Sequence, residues 1–405
     1  MSSIMLKELY VDNFKSFHKS KFEFGKLNCL IAPNNAGKSN LVEVLEFLED
    51  MIFNNQITAI HNFLIFKPNN NRYNDEDIII NAVFKINNTI LIRNQLIKID
   101  TLFEIKINLT QLQIEFSLIG KIKNIEIQTI DLKQNIEIVH EYNDDIEAVL
   151  NKYDNYILKL EKKRFRKLDN IHNSKFDKSL QVLMGGVDYL HPMIIKNLFS
   201  KSNLFSSFYF HPQTIKKQQN YETNFLLKDG TNLAYYLDAI NEEIFDDISM
   251  SLIGEVELIE SIEISEGSIP TILFNENVNG KVEKIIQQKV SDGTVHFLSL
   301  MSALKGSKSS CLIFEEPERH MHMKVLSYIL NTMRDSEKQI FFTTHSTEIL
   351  NQLDLDEILF IFRDYDGNTQ GQRAKDIPNI KKIMKLFKSD LVEMIKTGVL
   401  GEYDE

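Results

Sequence analysis

Residues 27–41 read LNCLIAPNNAGKSNL, an apolar run followed by a polar turn and the start of an apolar-periodic segment. The run Leu27–Ile31 predicts a buried strand, and the apolar spacing after Asn40 predicts a helix. A strand, a tight loop ending in Gly-Lys-Ser and a helix form a cradle in which backbone N–H groups face phosphate oxygens. This stretch therefore predicts an α/β fold built around a phosphate-binding loop, or P-loop.

The residues of this loop have separate tasks in holding a triphosphate. Lys38 can reach the β- and γ-phosphates, the Ser39 hydroxyl can ligate Mg²⁺, and Gly37 leaves room for a phosphate to approach the backbone. Ala32 stands where such loops usually begin with glycine, at a strand end where a methyl group costs little. We predict that ATP and Mg²⁺ bind here, through Asn34, Asn35, Ala36, Gly37, Lys38, Ser39 and Asn40.

An acid pair and a histidine follow two later apolar runs. Glu315 is predicted to complete the Mg²⁺ shell, and Glu316 to orient or deprotonate the attacking water. His345 ends another apolar run and is predicted to contact the γ-phosphate. Each feature alone is also typical of a strand ending in solvated polar residues, but their order behind a P-loop predicts ATP hydrolysis.

The loop Ser291-Asp292-Gly293 opens an apolar helical segment about twenty residues before the acid pair. A hydroxyl, a glycine N–H and a helix N-terminus make a second anion site. This chain's own P-loop is already served by Lys38 and Ser39, so we predict that the Ser291 loop completes the nucleotide pocket of a second copy. The chain is therefore expected to form a homodimer with ATP at the interface. Assembly of these dimers into a higher oligomer is an alternative that the sequence does not decide.

The composition of the 405-residue chain restricts its environment and its partners. A formal charge of −11 argues against nucleic-acid binding by the molecule as a whole. A basic segment at 152–167, with Lys152 at one end and Lys167 at the other, is a candidate for DNA contact, although such a segment is more typical of a solvated helix face. The lack of a long apolar run predicts no membrane contact, and two cysteines in apolar runs, Cys29 and Cys311, indicate the cytoplasm.

Periodicity divides the chain into three predicted parts. The first part, residues 1–140, holds the P-loop and then a segment from 78 to 139 in which apolar and polar residues alternate, as in antiparallel strands. The second part, 141–230, is predicted to be a helical insertion that could be a short coiled coil. The third part, 231–405, completes the ATPase fold. The last part includes a helix at 232–250, capped by Thr231 or Asn232, a helix at 323–334 and strands at 311–314 and 339–343. The tail from 378 is predicted to be helical.

His320 and His322 form a pair with metal-ligand spacing, but no further Cys or His lies nearby in sequence to complete a site. We predict that this pair belongs to the turn that meets the partner subunit. The glutamine that commonly completes the Mg²⁺ and water shell has three candidates, Gln56, Gln95 and Gln128.

These motifs resemble, in this order, the RecF/SMC-like branch of ABC ATPases, and within it the stand-alone bacterial AAA-type ATPases related to the ATPase part of OLD-family nucleases. The resemblance implies an ABC-type head, with a mixed β-sheet, flanking helices and an antiparallel β subdomain, that dimerises head to tail around two ATP molecules. The segments that carry it are 11–17, 32–39, 229–237, 291–294, 314–318 and 343–346.

The resemblance leaves three functions open. The first is an ATP-switched dimer that engages DNA and controls a separate effector, a nuclease or toxin, in bacterial anti-phage defence. The second is a RecF-like DNA-repair clamp, and the third is a slow-turnover scaffold. OLD nucleases carry a nuclease domain of about 100 residues after the ATPase, and the roughly sixty residues after His345 are too few for one, so the nuclease is expected on another chain.

Overall fold

The computed structural model describes residues 3–33, 35–53, 77–92, 95–108, 113–119, 125–130, 136–142, 204–217, 223–266, 269–378 and 380. It divides into two compact units. The first unit takes its described residues from 1–24, 43–203 and 366–370, and the second takes them from 25–42, 204–365 and 371–405. The limits predicted from the sequence grouped the P-loop with the antiparallel strands. The structure groups it with the C-terminal half, because the P-loop strand pairs with strands from that half.

The first unit holds a seven-stranded sheet in which neighbouring strands run antiparallel wherever their pairing is described. The third strand of this sheet along the chain shows the predicted alternation, since Ile80, Ala82, Phe84 and Ile86 are buried and the residues between them are half-buried. The strands are β1 (Ser3–Asp12), β2 (Ser20–Glu23), β4 (Ile79–Ile92), β5 (Gln95–Asn108), β6 (Gln113–Ile119), β7 (Ile125–Ile130) and β8 (Ile136–Tyr142). Their order in the sheet is β2-β1-β4-β5-β7-β8, with β6 also paired to β5.

Strand β1 carries a bulge that its sequence explains. Ile4 and Leu6 are buried at even positions, whereas Leu9 and Val11 are buried at odd positions. The register against β4 shifts between Leu6 and Glu8, so one extra residue moves the buried face from even to odd numbers. Both halves of the strand therefore turn their apolar side chains to the same core.

The second unit is built on a parallel sheet. Strand β3 (Leu27–Ile31) pairs in parallel with β14 (Gln339–Thr343), β14 with β13 (Cys311–Glu315), and β13 with β9 (Phe205–Phe208). All five residues of β3 and of β14 are buried, as expected for parallel strands covered on both faces. β15 (Ile358–Arg363) pairs in parallel with β3, and β16 (Thr369–Arg373) completes the order β16-β15-β3-β14-β13-β9.

Helices and a small sheet complete the second unit. The predicted helix at 323–334 is confirmed, with Leu326, Ile329, Leu330 and Met333 buried along one face. A three-stranded antiparallel sheet contains β10 (Ile259–Ile264), β11 (Ile272–Val278) and β12 (Lys281–Ile286). The helices are α1 (Lys38–Phe53), which runs on into the first unit, α2 (Pro212–Lys216), α3 (Leu233–Ala239), α4 (Glu242–Glu255), α5 (Asp292–Met301), α6 (Met323–Asp335) and α7 (Thr347–Leu350).

The single helix predicted at 232–250 is wrong, because the structure has two helices there. Ile240 is extended, and the Asn241 side chain accepts a hydrogen bond of 2.8 Å from the Glu243 N–H, which starts α4 anew. The predicted cap Asn232 makes no cap bond. Its side chain instead accepts a hydrogen bond from the Leu227 N–H and so holds the preceding loop.

Several predictions lie outside the described residues. These are the helical insertion with its basic segment at 152–167, and the tail from 378 except for residue 378 itself and residue 380. None of the helices in the described part of the chain combines the length and the apolar character needed to cross a membrane.

Candidate functional site

The carboxyl ends of three adjacent parallel strands bring the predicted motifs to one edge of the sheet. Thr343 at the end of β14 lies opposite Glu315 at the end of β13, and its other neighbour is Leu30 near the end of β3. Neighbouring strands lie about 4.8 Å apart, so the ends of β3 and β13 are about 10 Å apart with the histidine turn between them. The P-loop, the acid pair and His345 therefore leave the sheet side by side.

The P-loop has the backbone that a phosphate cradle needs. Gly37 has a φ of 109° and Asn35 has a φ of 65°, so both residues have a positive φ. Glycine adopts such a conformation without steric cost, which explains why it stands at position 37. Helix α1 begins at Lys38, two residues before the predicted start at Asn40, and the Leu41 N–H donates to the Gly37 carbonyl at 3.0 Å. Lys38 is half-buried and Ser39 is exposed at the positive end of the helix, whereas Asn34 lies outside the described residues.

Arg363 holds the P-loop from the neighbouring strand, a role that the sequence analysis missed. At the end of β15 its Nε and Nη2 donate to the Asn35 carbonyl at 3.1 and 2.7 Å. Nothing in the local sequence marks this arginine, because it stands 328 positions from its partner and follows no motif. Its fork of donors fixes the left-handed residue of the cradle.

Arg363→Lys is expected to raise the Kd for ATP about three- to tenfold. A lysine keeps the charge but cannot give the two-donor grip on the Asn35 carbonyl, and the loss of one hydrogen bond corresponds to about 1 kcal/mol. Titration with a fluorescent ATP analogue measures the change. Lys284→Ala is the control, since Lys284 pairs with Glu263 on the small sheet. An unchanged Kd for Arg363→Lys would show that the loop holds its shape without this grip.

The acid pair leaves β13 through a constrained turn. Glu315 is exposed, while Glu316 is half-buried with a left-handed φ of 44°, an uncommon conformation for a non-glycine residue. The Glu316 N–H donates to both the carbonyl and the hydroxyl oxygen of Thr343, each at 3.1 Å. Strand β14 therefore dictates the direction in which the second carboxylate leaves the sheet.

The Glu316 carboxylate lies beside Arg319 and His345. Its Oε2 accepts a hydrogen bond of 2.5 Å from Arg319 Nε, and its Oε1 lies 3.7 Å from His345 Nε2. Burial alone would raise its pKa, but the hydrogen bond and charge of Arg319, together with the charges of His345 and Lys38, hold the pKa of Glu316 below its ordinary value. Glu316 is therefore ionised at neutral pH and available to accept a hydrogen bond from water.

The Ser291 loop caps helix α5. Ser291 is exposed, and its hydroxyl accepts a hydrogen bond of 3.0 Å from the Thr294 N–H. The Asp292 carboxylate accepts hydrogen bonds from Lys216 at 2.5 Å and from Gln213 at 3.0 Å, and these bonds keep the pKa of Asp292 below its usual value. The loop is thus anchored to α2, with the Ser291 side of the helix start open to solvent.

Gly293 is required by a contact within the chain. A Cβ atom at this position would lie 2.6 Å from the carbonyl oxygen of His320, whose φ is 64°. The turn that follows the acid pair therefore rests on the start of α5. Of the two histidines singled out in the sequence, His320 makes this backbone contact and His322 stands at the N-terminus of α6.

His296, one turn into α5, is a second residue that sequence reasoning missed. It is 1% exposed, packs edge-on against Phe210, and neither ring nitrogen has a hydrogen-bond partner among the described residues. Burial, followed by the charges of His320, Arg319 and His211, lowers the pKa of His296 to about 3. The imidazole therefore stays neutral in the folded protein while its unfolded pKa is 6.5.

This difference predicts acid sensitivity. As the pH falls below about 6.5, the unfolded chain takes up a proton at His296 that the folded chain cannot hold until about pH 3, so stability is lost across this range. Between pH 6 and pH 4 the free energy of unfolding is expected to fall more steeply in the wild type than in His296→Leu, by about 1.4 kcal/mol per pH unit. Urea unfolding at each pH measures both slopes, and parallel slopes would refute the assignment.

The oxygen donors at this edge fit a phosphate-bound Mg²⁺. The Ser39 hydroxyl and the Glu315 carboxylate are ligands that Mg²⁺ prefers, and Mg²⁺ usually keeps waters and phosphate oxygens in its remaining positions. Within the described ranges no group of three or more His, Cys, Asp and Glu side chains is arranged to hold a metal. Of the three glutamine candidates, Gln95 and Gln128 lie in strands β5 and β7, and Gln56 is outside the described residues.

A comparison with known protein families covers all of these motifs with one match. A family model described as "AAA domain, putative AbiEii toxin, Type IV TA system" matches residues 27–351, which include the P-loop, the Ser291 loop, the acid pair and His345. A Helicobacter pylori (strain ATCC 700392 / 26695) protein named ATP/GTP phosphatase is 24% identical over 380 residues, covering 86% of this chain and 88% of its own.

Two solved structures of SMC heads are also similar in fold. The SMC head domain from Thermotoga maritima is 12% identical with a TM-score of 0.46, covering 91% of this chain and 98% of its own. An SMC head bound to the C-terminal winged-helix domain of ScpA is 12% identical with a TM-score of 0.47, covering 94% of this chain and 99% of its own.

Proposed function

The chain belongs to this AAA-domain family, and we propose that it is an ATPase whose hydrolytic site is completed by a second copy of the chain. ATP binding closes the homodimer and hydrolysis opens it. The phosphatase name of the Helicobacter pylori relative supports nucleotide hydrolysis, and so does the ionised Glu316 beside the P-loop edge.

The geometry of the sheet edge supports the roles that we assign within one subunit. Lys38 neutralises the β- and γ-phosphates from the start of α1, and Ser39 with Glu315 holds Mg²⁺, which supplies charge stabilisation to the phosphates. Glu316 orients or deprotonates the attacking water, and His345 contacts the γ-phosphate. The position of His345, 3.7 Å from Glu316, supports this pairing.

The place of the Ser291 loop carries the proposal of a shared site. The loop is anchored to Lys216 and Gln213 on α2, and α2 follows β9 at the edge of the parallel sheet. The P-loop follows β3, three strands away, a separation of about 14 Å between strands. The open face of Ser291 is therefore better placed for the nucleotide of another copy than for its own, and Asp292 serves by holding the loop in place.

Mixing two inactive variants tests whether the site is shared. Lys38→Ala removes the P-loop function, and Ser291→Asp keeps the helix cap while it sets a negative charge against the γ-phosphate. If the site forms between copies, each mixed dimer contains one intact site, and an equal mixture is expected to recover about a quarter of the wild-type ATPase rate. Phosphate release from the separate and mixed variants measures this.

Two controls make the result decisive. Ser291→Asn keeps the cap without a charge and is expected to retain activity. A Lys38→Ala, Ser291→Asp double variant should rescue neither single variant. Recovery below about a twentieth of the wild-type rate, with both variants folded, inactive alone and able to form mixed dimers, would reject a site shared between two copies.

The biological setting that we propose is bacterial anti-phage defence, in which the ATP-switched dimer engages DNA and controls a separate effector such as a nuclease. The family description, which names a toxin of a toxin–antitoxin system, supports a role in such systems. A RecF-like repair clamp would act on DNA without an effector. Pull-downs with DNA and with the products of neighbouring genes separate the two, and capture of DNA alone would favour the clamp.

A further inference from the structure

Glu318, two residues beyond the acid pair, joins two of the turns at the sheet edge. Its Oε1 accepts a hydrogen bond of 2.7 Å from the Thr344 hydroxyl and another of 3.1 Å from the His345 N–H. The turn after β13 and the turn after β14 are thus linked through a single carboxylate oxygen. None of the roles assigned above uses this residue.

The other carboxylate oxygen is held at a cost. Glu318 Oε2 is buried and has no hydrogen-bond partner among the described residues. A buried acceptor without a partner is unfavourable, and such groups in native proteins call for an explanation. The carboxylate also acts on the core below the P-loop. Burial raises the pKa of the Cys29 thiol, the charge of Glu318 raises it further, and the charge of Lys38 opposes both.

The turn that carries His345 is built on this carboxylate. The Thr344 hydroxyl donates to Glu318 and accepts from the Ser346 N–H at 3.0 Å, so it fixes the chain on both sides of His345. The His345 side chain is itself exposed, and its Nε2 reaches to 3.7 Å from Glu316. The backbone of residues 344–346 therefore sets the direction of the His345 side chain.

We propose that Glu318 is a positioning residue for ATP hydrolysis, which clamps the turn at 344–346 so that His345 faces Glu316 and the γ-phosphate. This proposal rests on the hydrolytic role proposed above for Glu316 and His345. It does not depend on whether the site is shared between two copies. Glu318 acts through the direction of His345 and touches no substrate itself.

Removing the clamp should lower the rate of hydrolysis and leave ATP binding intact. Glu318→Ala is expected to reduce kcat about 10- to 100-fold, with the Kd for ATP changed less than about threefold, because the misplaced group acts in the chemical step. Glu318→Gln keeps an acceptor oxygen and should retain kcat within about fivefold. Glu348→Ala is the matched control, because Glu348 accepts hydrogen bonds from Ser346 and Thr347 in the next turn without joining two turns.

A double-mutant cycle separates positioning from a general structural effect. If Glu318 acts through His345, Glu318→Ala should change kcat less than about threefold in a His345→Ala background. An equal loss of kcat in both backgrounds would overturn the proposal. If Glu318→Ala does not fold, Thr344→Val removes one of the two bonds and takes its place in the cycle, with the same expected pattern.

Amide hydrogen exchange provides a readout that needs no turnover. The His345 N–H donates to Glu318, so its exchange should become faster in Glu318→Ala and stay at the wild-type rate in Glu318→Gln and Glu348→Ala. Unchanged exchange in Glu318→Ala would also overturn the proposal. Failure of the mixed-variant experiment with a positive cycle and faster exchange would reject the shared site alone and leave the role of Glu318 standing.

Discussion

Lys38→Ala is expected to abolish ATP binding, with the Kd raised at least about 100-fold, or about 2.8 kcal/mol. Lys38 is the first residue of α1 at the sheet edge and is half-buried there. Its ammonium group adds a positive charge to the positive end of the helix. An alanine leaves the β- and γ-phosphate charges without this partner. Isothermal titration with ATP and Mg²⁺ measures the loss.

Lys284→Ala again serves as the matched control, because it removes one exposed lysine of the same unit and should leave ATP affinity unchanged. Circular dichroism shows whether both variants are folded. If a folded Lys38→Ala protein bound ATP with the wild-type Kd, the loop at 32–39 would not be a P-loop.

Glu316→Gln is expected to bind ATP normally, to lose at least about 1,000-fold in kcat and to accumulate as an ATP-bound dimer. The amide keeps the shape of the side chain but cannot take a proton, and general bases contribute about 100- to 10,000-fold to rates. The ionised state of Glu316, supported by Arg319, is the property that the substitution removes. Phosphate release gives the rate, and light scattering with and without ATP gives the mass.

Glu283→Gln is the control for the change of charge, since Glu283 is exposed on β12 of the small sheet. It should hydrolyse ATP at the wild-type rate. Retained turnover in Glu316→Gln would move the catalytic base elsewhere. A monomer that binds ATP without turnover would keep the base and reject the dimer.

The three strands that carry the site could be predicted from short apolar runs. β3 and β14 have the predicted limits, and β13 is one residue longer than the predicted 311–314. Buried parallel strands are apolar over most of their length, so they are visible in a single sequence. The helix at 232–250 was predicted wrongly because the break depends on Asn241, whose side chain competes for the backbone as a new cap.

In the candidate site, too, some features could be predicted from the local sequence and others could not. The P-loop, the acid pair and His345 were found because their chemistry depends on a few residues close together in the chain, each at the end of an apolar strand. Arg363 and Glu318 were not found, because each acts through a partner from another part of the chain. His296 was not found, because its burial depends on packing against distant residues such as Phe210. Glu318 and Thr344 are 26 positions apart, and Arg363 and Asn35 are 328 apart.

The sequence by itself determined the class of the protein, since a buried strand, a Gly-Lys-Ser turn and a helix leave few alternatives to a phosphate cradle. Only the tertiary structure decided how that cradle is held. The strand order placed the histidine turn between the P-loop and the acid pair. Long-range hydrogen bonds, from Arg363 to the Asn35 carbonyl and from Thr344 to Glu318, fix the backbone of the P-loop and of the histidine turn. The reason is physical: local sequence controls backbone preference and apolar period, whereas a hydrogen bond between distant segments exists only after the sheet has brought them together.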